Sequence, residues 1–217
     1  MQSDRPRERA ADGRQGVAGH KRIQSVFLNI PYDGRFEDLY LAYIVGLTQL
    51  GLKIDATLAV PNQGRLDRIV GLIEGSDVSI HDLSRIELSS GIPRFNMPLE
   101  LGLALYRSHL TNGRHRVFVF EKKAYRMQQS TSDINGIDPQ IHNGRPKGVM
   151  VGLRNIFHQP ERATTVPEML ASFRAVKRKL PELRRNAGSQ SLFEASVFHD
   201  LIVAALVERE RIIKQKS

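Results

Sequence analysis

Apolar residues in this chain follow two alternating patterns. The run Val26-Phe27-Leu28-Asn29-Ile30 is short and continuous, as in a strand buried on both faces of a parallel sheet, and it stops at Pro31. Phe36, Leu39, Tyr40, Tyr43, Ile44, Leu47 and Leu50 then recur every three or four positions, which predicts an amphipathic helix closed by Gly51. The alternation continues with a strand from Ile54 to Val60 and a helical stripe of Leu66, Ile69, Val70 and Ile73 ending at Gly75. A third strand is expected from Val78 to Leu83. A third helix should open near Pro98, with Asn96 as its N-cap, and run to about Leu110. Val117 to Phe120 reads as a fourth strand, and Gly148 to Leu153 as a weaker fifth.

Strands alternating with helices predict an α/β fold: a doubly wound, mainly parallel five-stranded sheet of the flavodoxin or Rossmann-like kind. Two extra C-terminal helices are expected near 166–186 and 191–213, because Thr165 with Glu168 and Ser191 with Glu194 have capping-box spacing. Residues 1–22 are polar, rich in Arg and Gly and without periodicity, which reads as a disordered basic arm. The expected organisation is that arm, an α/β domain over 23–160, and a helical extension over 161–217 packing on the domain or on a partner subunit.

Composition narrows the chemistry. The 217 residues include no cysteine, which removes disulfides, thiolate nucleophiles, Cys-ligated zinc and iron–sulfur clusters. The net charge of +9 suggests nucleic acid, but the first 22 residues carry six Lys/Arg against three Asp/Glu, and residues 162–217 carry eleven against six. The central domain is therefore nearly neutral, and sequence-specific nucleic-acid binding is not expected. No stretch has the length of a membrane span and the Arg-rich start lacks an apolar signal core, so a cytoplasmic protein without membrane contact is expected. Dinucleotide-binding glycine motifs, a Walker loop, a Gly-x-Ser-x-Gly elbow and His-Glu-x-x-His are all missing, and the seven His are scattered, so no metal is expected.

In an open parallel sheet, ligands bind beyond the carboxyl ends of the strands. Four polar clusters fall there: Asn29 to Gly34, Asp82 to Arg85, Asn96 to Glu100, and the long segment 122–147. Glu100 stands out because it sits in the opening turn of a helix, where the macrodipole favours a carboxylate; a first-turn Glu also stabilises any helix for the same reason. Tyr32 offers a ring to stack on a base and Asp33 a carboxylate for base or ribose, although Pro-Tyr-Asp-Gly is equally good turn chemistry. Segment 122–147 exceeds the usual length of an unstructured loop and carries Asp133, Asn135, Asp138 and His142 as candidate ligands, which reads either as a lid or as an exposed excursion.

The stretch Ser76-Asp77-Val78-Ser79-Ile80-His81-Asp82-Leu83-Ser84, followed by Asn96-Met97-Pro98-Leu99-Glu100-Leu101-Gly102-Leu103-Ala104, resembles the nucleoside 2-deoxyribosyltransferase family. The likeness covers roughly residues 24–121 and extends to TIR-type NAD-cleaving domains, which share the Rossmann-like fold. It implies Glu100 as nucleophile and Asp82 as a second carboxylate near the sugar. The first loop and segment 122–147 depart from the family, so Asn29, Tyr32, Asp33, Ser84, Asn96 and Met97, with the four residues of that segment, are expected to bind substrate from their place at the strand ends rather than from the resemblance. Asp77, at the opposite end of its strand, is expected to be structural. The implied function is cleavage or transfer at the N-glycosidic bond of a nucleoside or nucleotide through a glycosyl-Glu100 intermediate, by an N-glycosidase acting as transferase or hydrolase. A TIR-like NAD glycohydrolase and a non-catalytic nucleotide-sensing module are the alternatives. No cofactor is implied, NAD being a candidate substrate, and a homo-oligomer is expected.

Overall fold

The computed structural model describes residues 23–59, 64–85, 95–125, 136–157 and 164–216. The basic arm therefore lies outside the described residues. The elements are β1 (Ser25–Asn29), α1 (Glu37–Gln49), β2 (Lys53–Asp55), α2 (Arg65–Gly75), β3 (Val78–Asp82), α3 (Asn96–Leu110), β4 (Arg116–Glu121), β5 (Gln140–Ile141), α4 (Pro146–Ile156), α5 (Val166–Ala187) and α6 (Ala195–Lys216). All five strands are parallel, in the order β2-β1-β3-β4-β5, which is the doubly wound α/β fold that the alternation predicts.

Strand periodicity sorts the apolar side chains into two layers. Val26, Leu28, Val78, Ile80 and Phe120 point to one face and join the main core, where α1, α4, α5 and α6 pack. Phe27 points to the other, against Ile69 and Ile73 of α2 and Ala104 of α3, and beside them Leu83 and Val119 meet Met97 and Leu101. α1 is buried continuously from Leu39 to Gln49, because α5 and α6 cover the side that a two-layer domain would leave to solvent. Both C-terminal helices are thus part of this core: Phe173, Val176, Phe198 and Leu201 belong to it, and Arg184 reaches Glu37 at 2.9 Å.

Five features differ from the sequence expectation. Gly148 to Leu153 is helix, not strand: Val149, Met150, Leu153 and Phe157 are buried at helical spacing behind Pro146, a residue suited to a first turn. This helix lies so close to the sheet that a Cβ on Gly148 would come within 2.2 Å of the His142 carbonyl and one on Gly152 within 2.6 Å of the Phe120 ring. The fifth strand is instead Gln140–Ile141, inside the segment expected to be loop. β2 ends at Asp55 and turns into a 3-10 helix over Thr57–Ala59. Asn96 is the first helical residue of α3 rather than its cap, which is Phe95 without a side-chain hydrogen bond; Glu100 is therefore the fifth residue of the helix and not in its opening turn as expected, which holds no acidic residue. Thr165 and Glu168 form their capping box, whereas Glu194 accepts the Ser189 hydroxyl, Ser191 Oγ accepts the Phe193 amide, and α6 starts at Ala195.

Candidate functional site

Strand order reverses between β1 and β3, so the carboxyl ends of these two strands flank the crevice where such folds bind ligands. Asn29, the last residue of β1, and His81, one residue before the end of β3, are register partners, with Asn29 Nδ2 donating to His81 Nδ1 at 3.0 Å. An amide N–H aimed at Nδ1 places the ring proton on Nε2, which is buried with no hydrogen-bond partner. Burial, with His115 adding to it, pushes the His81 pKa down to about 3, so the ring is neutral.

Glu100 belongs to α3, the next element after β3 among the described residues. Met97, Glu100, Leu101 and Ala104 are the buried residues of α3, an i, i+3, i+4, i+7 arc that turns the carboxylate inward with the apolar side chains. The residue is 3% exposed. Arg65 Nη2, from the first turn of α2, donates to Glu100 Oε1 at 3.3 Å, while Glu100 Oε2 is buried without a partner. The Tyr32 hydroxyl accepts from Thr57 Oγ1 at 3.2 Å and is close enough to Glu100 to feel its charge. Burial, reinforced by Glu100, pushes the Tyr32 pKa up to about 12, so the phenol keeps its proton. Arg68 donates to the Thr57 carbonyl and holds the same turn.

Asp82 is treated differently. It is fully buried: Tyr43 donates its hydroxyl to Oδ2 at 2.7 Å, the Ser84 amide donates to Oδ1 at 2.9 Å, and His142 Nε2 lies 3.2 Å from Oδ2. His142 Nε2 also lies 2.7 Å from Ser84 Oγ, and Gly144 N–H donates to Nδ1 at 2.9 Å. Ser, His and Asp are therefore adjacent, but not as a catalytic triad. The Gly144 amide puts the ring proton on Nε2, leaving no lone pair to take a proton from Ser84, and both partners share that one nitrogen. Glu121, at the end of β4, accepts the Lys123 amide at 3.4 Å, and its charge joins burial and Asp82 in raising the Tyr43 pKa.

The remaining predicted residues separate in the same way. Asp33 caps the turn over Gly34–Phe36 through the Arg35 amide and accepts Arg85 Nε at 3.1 Å, tying the loops after β1 and β3 together. Tyr32 packs its ring on Tyr40 and Phe193. Met97 is core, and Asn96 and Asp138 are exposed. Asp133 and Asn135 lie outside the described residues. Asp77 is structural as expected: its carboxylate accepts the amides of Gln24 and Ser25.

Sequence reasoning missed Arg65, Thr57, His81, Tyr43 and Glu121. The first two lie beyond the carboxyl end of β2, outside the four polar clusters singled out in the sequence. Among the described residues no group of three or more His, Asp or Glu could hold a metal ion, and no helix is long and apolar enough to cross a membrane. No known protein family matches the chain, and no curated protein matches it either.

Proposed function

We propose that this protein cleaves or transfers at the N-glycosidic bond of a nucleoside or nucleotide, with Glu100 as nucleophile. The supporting observation is the asymmetry of that carboxylate: Oε1 is anchored by Arg65, while Oε2 is buried and unpartnered, and the neutral Tyr32 phenol is near enough to the carboxylate to feel its charge. A buried oxygen without a partner is costly in a protein, and such costs concentrate where function needs them. The motif likeness around Asp82 and Glu100 points the same way.

In this reading Glu100 Oε2 attacks the anomeric carbon as the bond to the base breaks, and the base leaves with that electron pair. The oxocarbenium-like charge is trapped as a glycosyl ester. A second base, or water, then attacks the same carbon from the opposite face and releases Glu100, so configuration is retained. A departing nucleobase needs a proton. Asp82, saturated by Tyr43, Ser84 and His142, is not placed to give one.

That observation favours a second substrate, NAD, whose nicotinamide is cationic before cleavage and leaves neutral without protonation. Product chromatography tests both. The purified protein and Glu100→Gln are incubated with a deoxynucleoside plus acceptor base, a deoxynucleoside monophosphate, or NAD. Base exchange, free base or released nicotinamide seen with the parent and lost in the variant assigns the activity. Silence in all three, with a ligand-dependent rise in thermal stability, would replace the enzyme by a sensing module.

A further inference from the structure

The outward face of α3 is apolar. Phe95, Leu99, Tyr106 and Leu110 are 69%, 60%, 62% and 55% exposed, and no acidic or lysine side chain interrupts them, since the one carboxylate of the helix, Glu100, faces inward. Their order is palindromic about the midpoint between Gly102 and Leu103. Phe95 stands as far before that point as Leu110 stands after it, Leu99 as far as Tyr106, and the exposed Asn96 as far as the exposed His109. Gly102 is exposed at the centre, and a Cβ there would meet nothing within 4 Å. The isolated chain thus gives no reason for a helix-weakening glycine in the middle of α3, whereas close approach of a second backbone does.

We propose that this face is the interface of a two-fold homodimer, with α3 packed antiparallel on α3 of a second copy about an axis at Gly102 and Leu103. An isologous interface must be self-complementary, each residue facing one at the mirrored position of the same helix, and this stripe satisfies that rule with apolar against apolar at both pairs. Phe95 meets Leu110 and Leu99 meets Tyr106. Antiparallel helices also set their macrodipoles in opposition. Two aromatic and two leucine side chains, each more than half exposed, offer ~500 Å² per copy, so two copies approach the ~1,000 Å² expected of a specific contact. The exposed stripe on α6 is different: Val203 and Val207 continue into Glu210 and Lys214, which a second copy would have to desolvate. The dimer stands independently of the chemistry at Glu100.

Sedimentation equilibrium of the full chain should return twice the 24.5 kDa of one copy. Leu99→Glu, at an exposed position, should halve that mass without changing the circular dichroism spectrum. Adding Tyr106→Lys to Leu99→Glu should restore the dimer, because the antiparallel register faces each new acid with a new amine. The chain has no cysteine, so Gly102→Cys gives a clean probe that should cross-link two copies on mild oxidation, while Val203→Cys should not. A monomeric parent protein overturns the proposal. So does a dimer that survives Leu99→Glu, or one cross-linked through Val203→Cys and not Gly102→Cys.

Discussion

Two carboxylates at the same edge of the sheet are buried almost equally and supported in opposite ways. Asp82 receives a phenol, an amide and an imidazole, and its partners are themselves tied down, His142 by the Gly144 amide and the Ser84 hydroxyl. Glu100 receives one arginine on one oxygen. A satisfied network of the first kind rigidifies the sheet edge, while a half-satisfied group of the second kind is a local cost that an optimised core would have removed. The two acids thus differ in kind: Asp82 ties the strand end to its loops, and Glu100 keeps one oxygen uncommitted, as the proposed chemistry requires.

The largest expected effect is on turnover. Glu100→Gln keeps shape and removes the proposed nucleophile, so product formation should fall by roughly 10³-fold or more while stability stays within about 1 kcal/mol, since Arg65 is largely solvated. Parallel rate and thermal-melt measurements check both halves. A variant that loses stability but keeps its rate would invert the roles assigned to the two acids.

Asp82→Ala should show the converse. It strands the Tyr43 hydroxyl and the His142 N–H in the interior, for a loss of about 3 kcal/mol in denaturant unfolding. Any fall in rate should follow the loss of folded protein, because Asp82 shares no hydrogen bond with Glu100. Loss of turnover in a fully folded Asp82→Asn protein would return Asp82 to the chemistry.

Acid should separate the edge further. Above pH 6.5 His81 is neutral folded or unfolded and adds no pH dependence; below it the unfolded chain takes up a proton that the folded chain refuses until about pH 3. Stability should therefore fall as pH drops through that window, with His81 contributing up to about 1.4 kcal/mol per pH unit and His115, also lowered by burial, adding to it. His81→Phe should flatten the slope of unfolding free energy between about pH 6 and pH 5, above the main carboxylate range. An unchanged slope would mean that His81 is already charged in the folded protein.

What could be read from the sequence tracks the range of the interactions. β1, α1 and β3 were legible because their apolar spacing is local and their burial nearly complete, and α3 and β4 because the buried part of each still carries a local apolar pattern. β5 was not, because two residues paired only with Phe120 and Glu121 carry no periodicity, and Val149-Met150-Val151 between glycines fits a strand as well as a helix. The inward direction of Glu100 follows from the α3 arc. Its counter-ion does not, since Arg65 is 35 positions away and belongs to another helix. The same holds for His142, which meets Ser84 across 58 positions.

Arg65 supplies the smallest and sharpest comparison. A cation in the first turn of α2 opposes the helix dipole, so its position there costs stability that the half-exposed pair with Glu100 offsets only in part. Arg65→Gln should leave unfolding free energy within about 0.5 kcal/mol of the parent. If Arg65 orients the carboxylate by holding Oε1, its loss lets Glu100 rotate between two equivalent oxygens, and the rate should fall by about 10-fold with little change in substrate binding. Arg65→Lys should recover part of that rate, because an amine keeps the charge but not the planar guanidinium. Steady-state kinetics would then show kcat changing while KM does not. A change confined to KM would make Arg65 a substrate contact instead, leaving Glu100 positioned by its helix alone.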